Sequence, residues 1–378
     1  MPTPPQIVIT GSGLFTPPES VSNAELVASL TASATHWNEA HADEIANGTL
    51  AARATPDEEF IVKASGITSR YVMEKSGVLD PDRMRPRLEL RAEDQLGLQA
   101  EMAMPAVNQA LAQAGRTGAD VDAVIVGCSN LQRAYPAVAI EIQNELGAGG
   151  WAYDMNVACS SATFSIQAAV DSLRNGSASC VLVVNPEITS GHTNFELRDF
   201  HFIFGDACTA VVLERAEDAR ATTSWAVLGT KLETKFSNNI RNDFGFLNSS
   251  EVGVREPHEL VFRQRGQQVF KEVCPMVAAH IKDHLAALDL EPSAVRRFWL
   301  HQANLKMNQL IAKAVLGRLP DELEAPVILD EYANTSSAGS IIAFHLRRDD
   351  MVDEDIGVIC SFGAGYSVGS VVVQRLTR

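Results

Sequence analysis

Three side chains able to do chemistry lie far apart in this 378-residue sequence: Cys159, His301 and Asn334. Cys159 sits in Asp154-Met155-Asn156-Val157-Ala158-Cys159-Ser160-Ser161-Ala162, where a short apolar run gives way to small residues opening a helix predicted over 161–174. A thiol at such a junction faces the unpaired N–H groups of the first helical turn. Those dipoles favour an anionic sulfur and predict a pKa below the free value of about 8.5. The same N–H groups suit a developing oxyanion. The competing reading is a cysteine that merely fills a tight turn. His301 closes the apolar run Phe298-Trp299-Leu300 just before a second predicted helix. It therefore falls at the C-terminal edge of a strand, where open α/β sheets place ligands. Asn334, in Tyr332-Ala333-Asn334-Thr335-Ser336-Ser337, can cap the next helix or form an Asx turn.

What must position these residues is an alternation of strand-like and helix-like segments, the pattern of an α/β fold. Strands are predicted at 7–9, 121–126, 180–184, 209–213, 298–300, 327–329, 357–359 and 371–373. Helices are predicted at 98–114, 136–146, 161–174, 264–289, 305–316 and 339–347. The chain also resembles itself. Residues 110–130, ending at Asn130, align without a gap on 284–304, ending at Asn304. Cys159-Ser160-Ser161-Ala162 similarly aligns on Asn334-Thr335-Ser336-Ser337, and Ala210–Arg215 on Ser370–Arg375. Such self-similarity predicts a duplicated α/β unit, residues 1–217 and 222–378, packed about a pseudo-twofold axis. Cys159 and Asn334 then occupy equivalent, facing positions. Two stretches, 28–58 and 74–95, fit the repeat poorly and read as surface insertions.

Composition narrows the functional classes. The 47 acidic residues outnumber the 31 basic ones, for a net charge of −16. That field opposes nucleic acid and anionic membrane as partners. No apolar run reaches the length of a membrane span, and the opening residues carry no secretory pattern. Six cysteines stand singly, none at metal-ligand spacing. Reduced thiols in a cytoplasmic protein are the expectation.

Six blocks together resemble the β-ketoacyl-acyl-carrier-protein synthase III family of the thiolase superfamily. They are Ser65-Gly66-Ile67-Thr68-Ser69-Arg70, Ala158-Cys159-Ser160, Phe204-Gly205-Asp206-Ala207, His301-Gln302-Ala303-Asn304-Leu305-Lys306, Ala333-Asn334-Thr335-Ser336 and Phe362-Gly363-Ala364-Gly365. The resemblance implies a five-layered α-β-α-β-α fold and a Cys159–His301–Asn334 triad. Cys159 would carry an acyl group from acyl-CoA. His301 and Asn334 would stabilise the enolate formed when a malonyl thioester on acyl carrier protein loses carbon dioxide. The product is a 3-oxoacyl thioester, and no metal or redox cofactor is needed. The N–H groups of Cys159 and Ala364 would form an oxyanion hole, with alanine standing where the family has a glycine. The resemblance places Asn304, Lys306, Phe60 and Phe204 along the substrate entrance, where Phe60 stands for the family's usual tryptophan. It makes Tyr135 a residue that reaches into the partner's acyl pocket in a homodimer. Lys306, Arg263, Arg265 and Lys271 could form a basic patch for the carrier protein. Polyketide-type condensing enzymes share the triad. A thiolase would need a second cysteine where Ser361 stands, and Cys360 is one residue early.

Overall fold

The computed structural model describes residues 5–242 and 262–377; the opening segment 1–4 lies outside the described residues. In chain order the first part contains β1 (Ile7–Phe15), β2 (Glu19–Ser22), α1 (Asn23–Ala40), α2 (Ala42–Ala46), α3 (Glu58–Ser65), β3 (Ser69–Val72), α4 (Ser76–Leu79), α5 (Leu98–Ala114), β4 (Ala123–Gly127), α6 (Val138–Leu146), β5 (Trp151–Met155), α7 (Ser161–Asn175), β6 (Cys180–Glu187) and β7 (Ala207–Arg215). The second contains β8 (Thr223–Thr234), β9 (Ile240–Asn242), β10 (Phe262–Gln264), α8 (Gly266–Ala287), β11 (Val295–Leu300), α9 (Leu305–Leu316), α10 (Leu329–Tyr332), α11 (Ala338–Leu346), β12 (Ile356–Gly363) and β13 (Ser367–Thr377).

Nine strands run in the order β11-β12-β13-β8-β1-β7-β6-β4-β5. This is two half-sheets joined where β1 pairs briefly with β8, at Val8–Ala226 and Ile9–Trp225. Their connectivity repeats. In each half, parallel pairs (β4 with β5 and β6; β11 with β12) continue into antiparallel ones (β6–β7–β1; β12–β13–β8). The middle layer is α7 and α11. Helix α11 is buried from Ala338 through Phe344, and apart from Ser340 and His345, which hydrogen-bond Ser361 and Ser12, its sequence is apolar all round, as a helix enclosed between sheets requires. Around it, Trp225, Trp299 and Phe344 meet edge to face with centroids 5.0–5.6 Å apart. Helices α5 and α6 cover the outer face of the first half-sheet and α8 and α9 that of the second. The layers are thus α-β-α-β-α.

Three expectations need correction. Residues 327–329 form no strand: Leu329 opens α10, and what meets β11 is the stretch before it, where the Leu323 and Glu324 carbonyls accept from Arg297 Nε at 2.6 Å and Phe298 N–H at 2.7 Å. The stretch 28–58 is not wholly a surface insertion, because α1 buries Ala34 and packs Leu30 into a core shared with α3 and Phe202–Phe204. Edge strand β5 is not among the predicted elements, and neither is β8, next to the pseudo-twofold. The second half of β8, Gly229-Thr230-Lys231-Leu232-Glu233-Thr234, is too polar to read as a core strand. Within 74–95, by contrast, Val78 and Met84 are buried among mostly exposed neighbours. Among the described residues, no helix is long and apolar enough to cross a membrane.

Candidate active site

Cys159 follows a backbone elbow. Ala158 has φ +48°, an uncommon conformation for a residue with a Cβ. The elbow is held from two sides: Ala158 N–H donates to Asn156 Oδ1 at 2.9 Å, and Val157 N–H to Ser161 Oγ at 2.8 Å. The opposite half closes on the sulfur. A Cβ on Gly363 would lie 2.7 Å from Cys159 Cβ and 3.1 Å from Sγ, so glycine is required there. The N–H groups of Cys159 and Ala364 both act on Sγ. The family's glycine is dispensable at 364 because the left-handed residue of this turn is Gly365, φ +129°.

The thiol is not activated as its helix position predicted. Burial pushes its pKa up to about 11; the Ser336 hydroxyl, 3.4 Å from Sγ, and the two backbone N–H groups offset this only in part. Burial outweighs the dipoles, and Cys159 waits as a thiol.

His301 is fixed at the end of β11 by its N–H, which donates to the Cys360 carbonyl at 2.8 Å, and by edge-to-face contact with Phe362 at 5.1 Å. Burial lowers its pKa to about 4, against a weaker upward pull from the Ser336 carbonyl, and Nδ1 makes no hydrogen bond of ordinary geometry. The imidazole is therefore neutral at physiological pH.

Asn334 is pinned by its backbone: its N–H donates to the Ile203 carbonyl at 2.9 Å, and its carbonyl accepts from Gly205 N–H at 3.2 Å. Its Oδ1 accepts from Ser336 N–H at 2.9 Å. A backbone N–H can only donate, so this Asx turn fixes the amide orientation and leaves Nδ2 as the free donor. The cap-or-turn alternative thus resolves as a turn that aims a side chain.

Cys159, His301 and Asn334 line one cavity of ≈ 480 Å³, together with Phe204, Phe262, Phe362 and Lys271. Asn304 and Lys306 also line it. Asn304 caps α9, its Oδ1 accepting from Lys306 N–H, while its Nδ2 donates to the Ala64 carbonyl at 2.7 Å. Lys306 Nζ donates to the Lys63 carbonyl at 2.9 Å. Phe60 and Tyr135 are elsewhere. Phe60, on α3, lies under the Arg198 guanidinium at 3.9 Å, outside the cavity lining. Tyr135 is 84% exposed on the surface of this chain.

Sequence reasoning missed Glu187. It closes the fully buried β6, and a carboxylate ending such an apolar run is the signal that could have found it. Its oxygens accept from Ser129 N–H (2.9 Å) and Oγ (2.6 Å), and from Ser337 N–H (3.2 Å) and Oγ. It thereby ties the loop after β4 in one half to the Asn334 turn of the other. Burial raises its pKa, and these donors oppose the rise. Glu187→Ala strands two backbone N–H groups in the interior, so we expect a loss of about 3 kcal/mol in urea unfolding. Glu187→Gln, which keeps one acceptor, loses less.

A duplicated α-β-α-β-α fold with a thiol, an imidazole and a carboxamide on one cavity wall defines a thiolase-like condensing enzyme. Comparisons with known proteins narrow the class. Models of the 3-oxoacyl-[acyl-carrier-protein] synthase III family match residues 153–235 and, for its C-terminal part, 285–375. A β-ketodecanoyl-[acyl-carrier-protein] synthase from Pseudomonas aeruginosa is 56% identical over 339 residues, 90% of this chain and 97% of that one. A synthase III from Bartonella bacilliformis is 27% identical, over 88% and 95%. Among solved structures, synthase III from Pseudomonas aeruginosa PAO1 superposes with a TM-score of 0.74 at 21% identity, covering 98% of each chain. The priming β-ketosynthase of the R1128 polyketide pathway gives 0.77 at 20% identity, covering 99% and 97%. The chain belongs to the 3-oxoacyl-[acyl-carrier-protein] synthase III family and is an acyl-transferring, decarboxylating condensing enzyme.

Proposed function

We propose that Cys159 is the nucleophile of a two-stage condensation between an acyl-CoA primer, of medium chain length, and malonyl-acyl-carrier protein. The observation that carries this reading is the convergence of Cys159, His301 and Asn334 on one cavity. In the first stage Sγ attacks the primer carbonyl, the N–H groups of Cys159 and Ala364 hold the oxyanion, and the carbon–sulfur bond to coenzyme A breaks. The thiol proton leaves with the coenzyme A thiolate. In the second stage the malonyl carboxylate departs as carbon dioxide. Negative charge moves to the thioester oxygen, which accepts from His301 and Asn334 Nδ2. The C2 carbanion then attacks the acyl-cysteine carbonyl, and Cys159 leaves as a thiolate that takes a proton from water. No step calls on a metal or redox group.

The product named for the 56%-identical relative, β-ketodecanoyl-[acyl-carrier-protein], is two carbons longer than the primer such a condensation would use, which supports a primer longer than acetyl. Ser361 bonded to Ser340 (2.7 Å), with Cys360 fully buried, argues against a thiolase's second cysteine. Each half, 1–217 and 222–378, would supply one side of the site. An exposed Tyr135 suits a homodimer in which it completes the partner's acyl pocket. Lys271 and Lys306 at the cavity suit an acidic carrier protein, and the cytoplasm suits six unpaired cysteines.

The test is intact-mass spectrometry after incubation with acyl-CoA of graded length. The expected result is one acyl adduct per chain, formed fastest with a medium-length primer. Fastest loading by acetyl-CoA would overturn the primer assignment, and no adduct at any length the whole scheme.

A further inference from the structure

A second concavity opens where the half-sheets part. β1 pairs with β8 only at Val8 and Ile9, and at Thr10 its ladder with β7 shifts register in a bulge. The gap is a cavity of ≈ 300 Å³ whose lining includes Thr10, Gln113, Thr222, Thr223, Arg348 and Arg375. It draws on both halves of the chain and shares no residue with the Cys159 cavity. Junctions of this kind are common ligand sites.

Its anomaly is electrostatic. Arg348, just past the C-terminus of α11, is 7% exposed, and no carboxylate among the described residues lies within ion-pair distance. One donor, Nη2, reaches Gln113 Oε1 at 2.9 Å, and the guanidinium rests on Phe344 at 4.5 Å. The other buried arginines are better served. Arg297 forms a bidentate pair with Asp350 at 2.6 and 2.7 Å, and Arg70 gives its donors to three oxygen acceptors. Beside Arg348 lies a second cation. Arg375 spends Nη1 on the Asp349 and Met351 carbonyls, and its Nε is buried without a partner. Burial chiefly lowers the Arg348 pKa, to about 10; Asp349 opposes this and Arg375 adds to it. Asp349 also lines the cavity, leaving two cations to one anion. Glu214, bonded to Thr10 Oγ1, is already paired with Arg116. The C-terminus of α11 offers a partial negative field, not a counter-charge.

A buried guanidinium beside a half-buried one, with a single anion between them, is costly unless a further anion completes the set. We propose that this cavity binds a small tetrahedral oxyanion, a phosphate group, held by Arg348 and Arg375. The hydroxyls of Thr222 and Thr223, which make no hydrogen bond among the described residues, complete the donor set. Guanidinium forks match such oxygens.

The test is thermal unfolding of the full chain with inorganic phosphate, with glycerol 3-phosphate, and with chloride at equal ionic strength. Phosphate is expected to raise the midpoint by about 2 °C at tenfold above its Kd, and chloride to do nothing comparable. An equal shift with the ester assigns the group to a phosphomonoester; a shift with phosphate alone assigns a free ion. Arg348→Met is expected to lose the phosphate-specific shift. Should that variant fail to fold, Arg375→Gln and the Thr222→Ala/Thr223→Ala pair are expected to weaken phosphate affinity at least roughly threefold. No phosphate-specific shift in the parent chain, or an undiminished one in the variants, overturns the proposal.

Discussion

Cys159→Ala yields a folded protein that gains no acyl mass from any acyl-CoA. The fold is expected to survive because the substitution removes one sulfur from a cavity wall, and the elbow at Ala158 is held by Asn156 and Ser161 rather than by the thiol. Acylation is expected to vanish because no other sulfur can replace it. Cys128, Cys180, Cys208, Cys274 and Cys360 are all buried, and none of them lines the cavity that Cys159 faces. A residual adduct in Cys159→Ala would mean that another group is the nucleophile. The same variant separates two kinds of binding: titration calorimetry is expected to retain acyl-CoA affinity, since the cavity walls are unchanged. The resting thiol also carries a pH signature. With its pKa pushed up to about 11, alkylation of Cys159 by iodoacetamide is expected to keep accelerating as pH rises from 7 to 9. A plateau near pH 7 would instead reveal the activated thiolate that the helix position alone suggests.

How much of this was legible beforehand follows from what each signal depends on. Helices α5 and α9 have the predicted bounds because Gly115 and Gly317, both at positive φ, stop them, and these local signals do not depend on the rest of the chain. Strand β8 was invisible because half of it owes its place to pairing with β13 rather than to its own apolarity. The triad was legible through the repeat, which placed Cys159 opposite Asn334. Its electrostatics were not. Whether a thiol at a helix start is anionic depends on how many atoms bury it, and those come from Gly363, Ala364 and Ser336 in the other half. Glu187 escaped for the same reason: its four strong donors belong to Ser129 and Ser337, 58 and 150 residues away.

The second large effect concerns His301 and Asn334, where loading and decarboxylation should come apart. His301→Ala is expected to acylate Cys159 at a rate near that of the parent chain, because the proposed scheme gives the first oxyanion to the Cys159 and Ala364 N–H groups, which the substitution leaves alone. Release of carbon dioxide from malonyl-acyl-carrier protein is expected to fall by about 10²–10³-fold, the usual cost of one oxyanion donor. Asn334→Asp is the sharper probe. It keeps an acceptor for Ser336 N–H, so the Asx turn survives, and replaces the donor Nδ2 with an anionic oxygen facing the growing charge. Its loss should equal or exceed that of Asn334→Ala. The double variant His301→Ala/Asn334→Ala is expected to lose less than the product of the single losses, since both donors serve one oxygen. The pH dependence decides between donor and base. Burial holds His301 down to about 4, so the ring keeps a donor N–H throughout the range from pH 8 to 5 and is not protonated within it. Decarboxylation by the parent enzyme should therefore be flat across that range. A base with an ordinary pKa of about 6.5 would lose nearly tenfold per unit below it. Such a decline, disappearing in His301→Ala, would make His301 a base and leave Asn334 as the only donor to the enolate.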